Sequence, residues 1–187
     1  MKNLYKIAAK SCQNVYQDNT DLGTIEFKLG VAKFKNKIIQ VLAIAGTNEL
    51  GDWWANINLW SKKGIKKGAY DAAVKIHEQI QHKIKYPLLV CGHSKAGATA
   101  IAYKRLFTSS WCVAFAPARS LRYWSDRKMQ NTTIFIDPDD PVSKAGFISF
   151  GHPDCKIIEA KDDHAGLHVA DHFMKNWICF VEGLAQV

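Results

Sequence analysis

The sequence of 187 residues has no apolar run that approaches the roughly 20 residues of a membrane-spanning helix. Its first ten residues also lack the continuous apolar segment of a signal peptide, because Lys2, Lys6 and Lys10 interrupt them. We therefore expect a soluble, cytoplasmic protein whose N-terminal residues form an amphipathic helix.

Cysteine is scarce, with five residues that are odd in number and widely spaced: Cys12, Cys91, Cys112, Cys155 and Cys179. No two of them have the spacing of zinc ligands, and most lie in apolar strand or helix segments. This pattern excludes a disulfide-based scaffold and predicts buried thiols in a reducing compartment.

Acidic residues are outnumbered, since 17 Asp and Glu stand against 25 Lys and Arg, for a net charge of +8. Lysines gather within residues 33–37 and again within residues 62–67. Such a surface favours anionic partners, so transient contact with an anionic lipid surface is one expectation, and a solvated basic face is the other. No nucleic-acid motif accompanies the charge, and we expect no specific nucleic-acid binding.

The apolar pattern predicts an α/β protein. A hairpin is expected around Lys35-Asn36-Lys37, and residues 69–85 have helical periodicity. Further predicted elements are strands at 111–115, 132–136 and 155–159, and a C-terminal helix from Val169 to the end of the chain. Strands that alternate with helices indicate a three-layer sandwich with a mostly parallel sheet, in a single domain of residues 1–187.

One segment carries a chemical signal, the turn Gly92-His93-Ser94-Lys95-Ala96-Gly97. It follows the apolar run 86–91 and leads into helix-forming residues 98–103. Strand, G-x-S turn and helix together are the context of a nucleophile elbow, in which small neighbours let strand and helix approach closely. An ordinary structural turn is the alternative unless a base and a carboxylate follow downstream.

The carboxylate is expected after the predicted strand 132–136, because α/β hydrolases present Ser, Asp and His in this order on loops that follow strands. Asp137, Asp139 and Asp140 all occupy that loop. The pattern does not choose among them, since Asp and Pro are also common in turns without any catalytic role.

The base is expected after strand 155–159, where His164, His168 and His172 recur every four residues. On one unbroken helix they could ligate a metal, but Gly166 argues against that helix, and we expect neither a metal nor a cofactor. A helix that runs away from the sheet edge at about 1.5 Å per residue leaves only an early histidine within reach of Ser94. His172 fits a helix that begins near 169–171, and His164 fits one that begins at 163.

Four motifs occur in order from about residue 40 to the C-terminus. They are Ala45-Gly46-Thr47 with Asp52-Trp53 and Asn56-Ile57, then Gly92-His93-Ser94 with Gly97, then Asp140-Pro141-Val142, and finally His172 with Trp177. Together they resemble the class 3 lipase family, which comprises the fungal-type lipases and their bacterial and viral relatives.

The resemblance implies an α/β-hydrolase-like sandwich that cleaves carboxylic esters of small-molecule or lipid substrates, phospholipids included, through an acyl-enzyme. It implies Ser94 as nucleophile, Asp140 as the carboxylate and His172 as base. His164 stays the second candidate for the base, because it would be within reach if the last helix began at 163. Thr47 and the backbone N–H of Lys95 would form the oxyanion hole.

Departures from the family pattern keep other functions open. Ala45 replaces an arginine, Ala96 a glycine, Ser143 a proline and Lys95 an apolar residue. A lysine in the first turn of a helix is disfavoured by the helix dipole by some tenths of a kcal/mol. A catalytically silent binding or accessory protein on the same fold is therefore one alternative. A basic protein that binds anionic membranes or nucleic acid is another.

The stretch with Trp53, Ile57 and Trp60 has an apolar face at helical spacing. In the fungal lipases the corresponding helix acts as a lid. In this protein the stretch has two possible structures, a mobile lid or a fixed helix packed on the core.

Overall fold

The structure is a computed structural model that describes residues 1–17, 26–45, 60–107, 109–123, 126–138, 140, 142, 149–160 and 174–183. Within these ranges the helices are α1 (Lys2–Gln17), α2 (Lys67–Ile80), α3 (Lys95–Leu106) and α4 (Met174–Gly183). The longer strands are β1 (Phe27–Phe34), β2 (Lys37–Ile44), β5 (Leu88–His93), β6 (Trp111–Phe115), β8 (Lys128–Ile136) and β10 (Asp154–Glu159). Four two-residue strands complete the set: β3 (Ser61–Lys62), β4 (Ile65–Lys66), β7 (Leu121–Arg122) and β9 (Phe150–Gly151).

The main sheet has six strands in the order β1-β2-β5-β6-β8-β10. All neighbours pair in parallel except β1 and β2, which are antiparallel. The predicted α/β class, with a mostly parallel sheet and an antiparallel hairpin at its start, is confirmed. The prediction of one domain over residues 1–187 stays a prediction.

The first hairpin pairs Phe27 with Ile44 at its open end and Phe34 with Lys37 at its turn. Lys35 and Asn36 form the turn, with φ values of 46° and 62°. Positive φ at both central residues matches the right-handed twist of the paired strands, which explains the two-residue connection.

Helices cover both faces of the sheet. Strand β5 is buried on both faces. Val90 belongs to the core cluster that includes residues of α2 and α3, whereas Leu89 and Cys91 belong to the cluster that includes residues of α1 and α4. Between α2 and α3, His77 Nδ1 lies 3.0 Å from the Tyr103 hydroxyl.

Several element ends differ from the sequence prediction. Helix α2 ends at Ile80 and continues only as a 3₁₀ turn over Gln81–Lys83, so Ile84 packs on the core from outside the helix. Strand β8 begins at Lys128, four residues before its predicted start. The first four residues gave no strand signal because Met129 is the one apolar residue among them. Met129 is buried in the core, and Lys128 pairs with Asp154 of β10.

A second sheet was not predicted, the antiparallel sheet β3-β4-β7-β9. Its strands are two residues long, too short for any periodic pattern. Ile65 pairs with Leu121, and the Lys66 N–H donates to the Ser120 carbonyl at 2.8 Å. This pairing ties the segment before α2 to the loop that leaves β6.

The prediction of buried thiols is confirmed for Cys12, Cys91 and Cys112, whereas Cys155 is half-buried. The side chain of Cys179 lies outside the described residues. Burial raises the pKa of the Cys112 thiol and raises that of Cys155 to about 11. The pKa of the Cys91 thiol is raised mainly by a hydrogen bond with Cys12 and, to a smaller extent, by burial. Cys91, Cys112 and Cys155 are therefore protonated at neutral pH and unsuited to nucleophilic chemistry.

The helices over the described ranges include none that is both long and apolar enough to cross a membrane.

Candidate active site

Ser94 occupies a strained turn between β5 and α3. Its backbone has φ 58° and ψ −127°, a conformation that non-glycine residues rarely adopt. The Ser94 N–H donates to the Phe115 carbonyl at 2.9 Å, at the end of the neighbouring strand β6. The side chain is half-buried.

Two glycines make this turn sterically feasible. A Cβ on Gly92 would collide with the Ala96 carbonyl, and a Cβ on Gly97 would lie 3.0 Å from the Cβ of Pro117. The backbone of β5 therefore approaches the first turn of α3 directly, and the loop after β6 packs against the same turn. Ala96, by contrast, has its side chain in the core, which accounts for the tolerated alanine.

Lys95 is the first residue of α3 and its side chain is exposed. The first N–H groups of a helix have no partner within that helix and can donate to a ligand. The first turn of α3 contains no acidic residue. The positive end of the helix dipole therefore lies beside Ser94 without a compensating carboxylate in that turn.

Asp140 lies four residues after the end of β8 and is fully buried, with 0% exposure. Its N–H donates to the Asp137 carbonyl at 3.2 Å, and its Oδ1 accepts the Val142 N–H at 2.8 Å. A carboxylate that is buried to this extent must be hydrogen-bonded or paired. Asp137 is also buried, and Asp139 lies outside the described residues.

Ser94 and Asp140 follow the carboxyl ends of β5 and β8, which lie at the same edge of the sheet. Only β6 separates these two strands. With about 4.8 Å between neighbouring strands, the strand ends are roughly 10 Å apart. This gap suits an imidazole that hydrogen-bonds to a serine on one side and a carboxylate on the other.

The remaining predicted site residues lie outside the described residues. These are Thr47, His164 and His172, together with His168 of the metal alternative. Over the described ranges, no three His, Cys, Asp or Glu side chains group to hold a metal ion.

The sequence analysis placed Lys66 in the basic stretch 62–67 but did not predict its burial. An exposed basic surface is found for Lys62, Lys63 and Lys67, but Lys66 is half-buried. Burial lowers the pKa of the Lys66 ammonium, and the charge on Lys95 lowers it further. The one available signal was its position directly before a helix, at an element boundary.

Trp60 is 76% exposed, so it does not pack on the core as the fixed-helix interpretation required of it. Its carbonyl accepts the Lys67 N–H at 2.9 Å. Trp53 and Ile57 lie outside the described residues, so the choice between lid and fixed helix stays open for them.

A cleft of about 480 Å³ lies at the opposite edge of the sheet. Its lining includes Lys128 and Asp154, the first residues of β8 and β10, with Tyr5 of α1. Because it lies at the amino ends of β8 and β10, it is at the opposite edge of the sheet from Ser94.

No protein-family model and no curated protein sequence matches the chain. Solved structures do match. An MDLA variant from Penicillium cyclopium has a TM-score of 0.59 at 16% identity, with 90% of this chain and 81% of that chain covered. Lip2 lipase from Yarrowia lipolytica has a TM-score of 0.59 at 14% identity, with coverage of 86% and 79%.

A deletion mutant of Rhizomucor miehei lipase in its propeptide complex has a TM-score of 0.53 at 14% identity. The alignment covers 85% of this chain but 66% of that one, so the chain spans about two thirds of its length. At these identities the likeness shows the fold alone, a lipase-like α/β-hydrolase fold. The predicted hydrolase-like sandwich is thereby confirmed.

The close approach at Gly92 generates a stability prediction. We expect Gly92→Ala to lower the free energy of unfolding by about 1–3 kcal/mol. The new Cβ would collide with the Ala96 carbonyl, which can shift only together with the first turn of α3. Gly30→Ala is the matched control, since Gly30 is also a strand glycine and its added Cβ meets nothing within 4 Å. It should be neutral or stabilising by about 0.5 kcal/mol. Urea unfolding of both variants measures the difference, and equal midpoints would contradict the proposed crowding.

Proposed function

We propose that the protein is a serine hydrolase of carboxylic esters, a lipase or esterase that belongs with the class 3 lipases. The observation that carries the proposal is Ser94, held at positive φ between β5 and α3 at the carboxyl edge of a parallel sheet. Strain of this kind is retained where it serves function. The lipase-like fold and the four ordered motifs support the same assignment.

In the proposed reaction, the Ser94 Oγ attacks the acyl carbonyl carbon while its proton passes to a histidine nitrogen. The carbonyl electrons move to the oxygen and then return, so that the C–O bond to the alcohol breaks. The alcohol leaves with the proton from the histidine. Water then attacks the acyl-enzyme by the same proton path and releases the carboxylic acid and free Ser94.

Asp140 is proposed to orient the histidine and to stabilise its charged form. Its burial and its bond from the Val142 N–H hold the carboxylate in one position, as an acceptor for an imidazole N–H requires. The backbone N–H of Lys95, at the start of α3, is proposed as one donor to the oxyanion, with Thr47 as the other. No metal or cofactor is needed for these steps.

Removal of the nucleophile is the first test. Ser94→Ala should lower hydrolysis of nitrophenyl butyrate by about 10³-fold or more and abolish labelling by a fluorophosphonate probe, which reacts with activated serines. Ser110→Ala is the control, because Ser110 precedes β6 at the opposite edge of the sheet. Folded wild-type protein that takes no label would instead favour the catalytically silent alternative.

The role of Asp140 is tested by comparison with Asp137, a second buried aspartate on the same loop. Asp140→Asn keeps the side-chain size but cannot stabilise an imidazolium, so kcat should fall by about 10³- to 10⁴-fold. The kcat of the Asp137→Asn variant should fall far less. Kinetics of both variants, with circular dichroism to verify folding, decide between them, and a larger loss in the Asp137 variant would transfer the role to Asp137.

The base is tested by comparison of His172→Gln with His164→Gln. We expect the His172 variant to lose about 10³-fold in kcat, since proton transfer to and from the substrate would lack its carrier. The His164 variant should retain activity within a few-fold. Rates with the same nitrophenyl ester measure both, and the opposite ranking would identify His164 as the base.

A further inference from the structure

Strand β1 is the terminal strand of the main sheet, and over the described ranges only β2 pairs with it. Val31, in the second half of β1, is 68% exposed, and its neighbour Gly30 is exposed as well. On β2, Ile38 is 54% exposed and pairs with the exposed Lys33. This end of the sheet therefore presents apolar side chains to solvent beside the outer edge of a strand.

Two hydrogen bonds show which backbone groups of β1 point outward. The Ala45 N–H donates to the Glu26 carbonyl at 2.9 Å, so these two residues form a hydrogen-bonded pair at the open end of the hairpin. Hydrogen-bonded and non-hydrogen-bonded pairs alternate along an antiparallel ladder, which makes Val31 and Gln40 a pair of the second kind. Consistently, the Gln40 N–H donates away from β1, to the Pro87 carbonyl at 2.9 Å.

Every second residue of β1 therefore directs its N–H and C=O groups away from β2. These residues are Phe27, Leu29, Val31 and Lys33, whose side chains share one face of the sheet. Such a row of backbone groups is a template on which a further strand can form hydrogen bonds. None of the eight residues of β1 is a proline, which would block that pairing.

Gly30, in the middle of β1, is not explained by contacts over the described ranges. Its φ lies outside the left-handed region, and a Cβ added to it would meet nothing within 4 Å. A glycine inside a strand weakens the strand and often marks a place where another backbone approaches closely. A strand that pairs with the outer edge of β1 would account for the glycine.

We infer that β1 pairs antiparallel with β1 of a second copy of this chain, about a two-fold axis at Gly30. The two six-stranded sheets then form one continuous sheet. In this register Leu29 pairs with the partner's Val31, and Phe27 pairs with the partner's Lys33. Gly30 meets the partner's Gly30 at about 4.5 Å between Cα atoms, the separation of a non-hydrogen-bonded pair. The inference does not depend on the proposed ester hydrolysis.

Other two-fold registers satisfy fewer of the outward groups. A shift of two residues in either direction would pair an outward residue of β1 with a position beyond the end of the strand, at 25 or 35. The chosen register also separates the lysines of the two copies. Lys28 lies opposite the partner's Ala32, and Lys33 lies opposite the partner's Phe27, so that no lysine of β1 faces another.

The apolar side chains match in this register. Leu29 pairs with Leu42 of the core on one side, and the partner's Val31 would lie on its other side. The exposed Val31 is thereby added to an apolar row that continues into the core of the partner. Direct cross-strand pairs of this kind are the main side-chain contribution to sheet stability.

Opposite charges also match across the axis. The Lys35 ammonium lies 5.7 Å from the centroid of the Phe34 ring. The register places the partner's Glu26 opposite Phe34, and therefore beside Lys35. Over the described ranges neither Glu26 nor Lys35 belongs to an ion pair, and within one chain they lie at opposite ends of β1. By symmetry the dimer forms this pair twice.

The first test removes one outward backbone donor. Sedimentation velocity of the wild-type protein at micromolar concentrations should show a monomer–dimer equilibrium. Val31→Pro should abolish the dimer and leave the monomer folded, because the Val31 N–H makes no bond to β2. Val31→Thr is the matched control, since it keeps a β-branched side chain and the N–H, and it should still dimerise. A wild-type protein that stays monomeric, or a Val31→Pro variant that is folded by circular dichroism and still dimerises, would overturn the inference.

A charge exchange tests the register without any change to the backbone. Glu26→Lys and Lys35→Glu should each raise the dimer dissociation constant by about fivefold, and the double variant should restore it, because the pair re-forms across the axis. Ile157→Thr is the control for non-specific association, since Ile157 is 46% exposed on β10, the other terminal strand. Failure of the double variant to restore the dimer, or loss of the dimer in the Ile157 variant, would exclude this interface.

Amide hydrogen exchange tests the same register residue by residue. The N–H groups of Gly30 and Ala32 bond to β2 and should be protected at every protein concentration. Those of Leu29, Val31 and Lys33 should become protected only as the dimer forms. Protection of these three that does not change with concentration, or a dimer in which they stay unprotected, would contradict the proposed pairing.

Discussion

The reversal of the chain at Ser94 is the constraint on which the site depends. The chain must leave β5, turn at a residue with φ 58°, and begin a helix that packs back on the same sheet. Such a conformation costs on the order of 1–3 kcal/mol, so it persists only where surrounding contacts hold the backbone in place. Two contacts do so here: the hydrogen bond from the Ser94 N–H to the Phe115 carbonyl, and the close approach of β5 to α3 at Gly92.

Packing on one face of the sheet extends this constraint to the acid. The Phe115 ring stacks on Phe135 at 5.0 Å, and Phe135 meets Tyr5 edge to face at 5.2 Å. Phe115 provides the carbonyl that holds Ser94, and Phe135 is the penultimate residue of the strand that leads to Asp140. The same aromatic contacts therefore fix the backbone at both proposed catalytic positions, while α1 and α4 exclude water from behind them.

The sequence predicted those parts of the fold in which one residue type determines the local outcome. The hairpin around Asn36 and the apolar strand before Gly92 have few alternative structures, and both were predicted correctly, although the two-residue length of the turn was not. Ile84 was placed in a helix because its spacing fits, although the helix ends at Ile80 and Ile84 packs from the following segment. The small sheet was missed, because residues such as Ile65 pair through tertiary contacts that no local pattern encodes.

In the candidate site, too, the features set by local sequence were predicted and those set by tertiary contacts were not. Ser94 was evident because strand, turn and helix are contiguous in the chain, and its backbone conformation agrees with an elbow. The choice among Asp137, Asp139 and Asp140 depends on how a loop folds over the sheet edge, which composition cannot specify. The burial of Lys66 escaped prediction for a similar reason, since it results from the pairing of Lys66 with Ser120, far away in sequence.

The start of α3 links the proposed nucleophile to the proposed oxyanion donor. Because Lys95 follows Ser94 directly, the chain reversal that presents the Ser94 hydroxyl also fixes the position of the Lys95 backbone N–H. The oxyanion carries its charge only after attack, so this N–H would act on kcat rather than on KM. The proposed mechanism therefore requires the backbone of Lys95 and not its side chain, which is exposed.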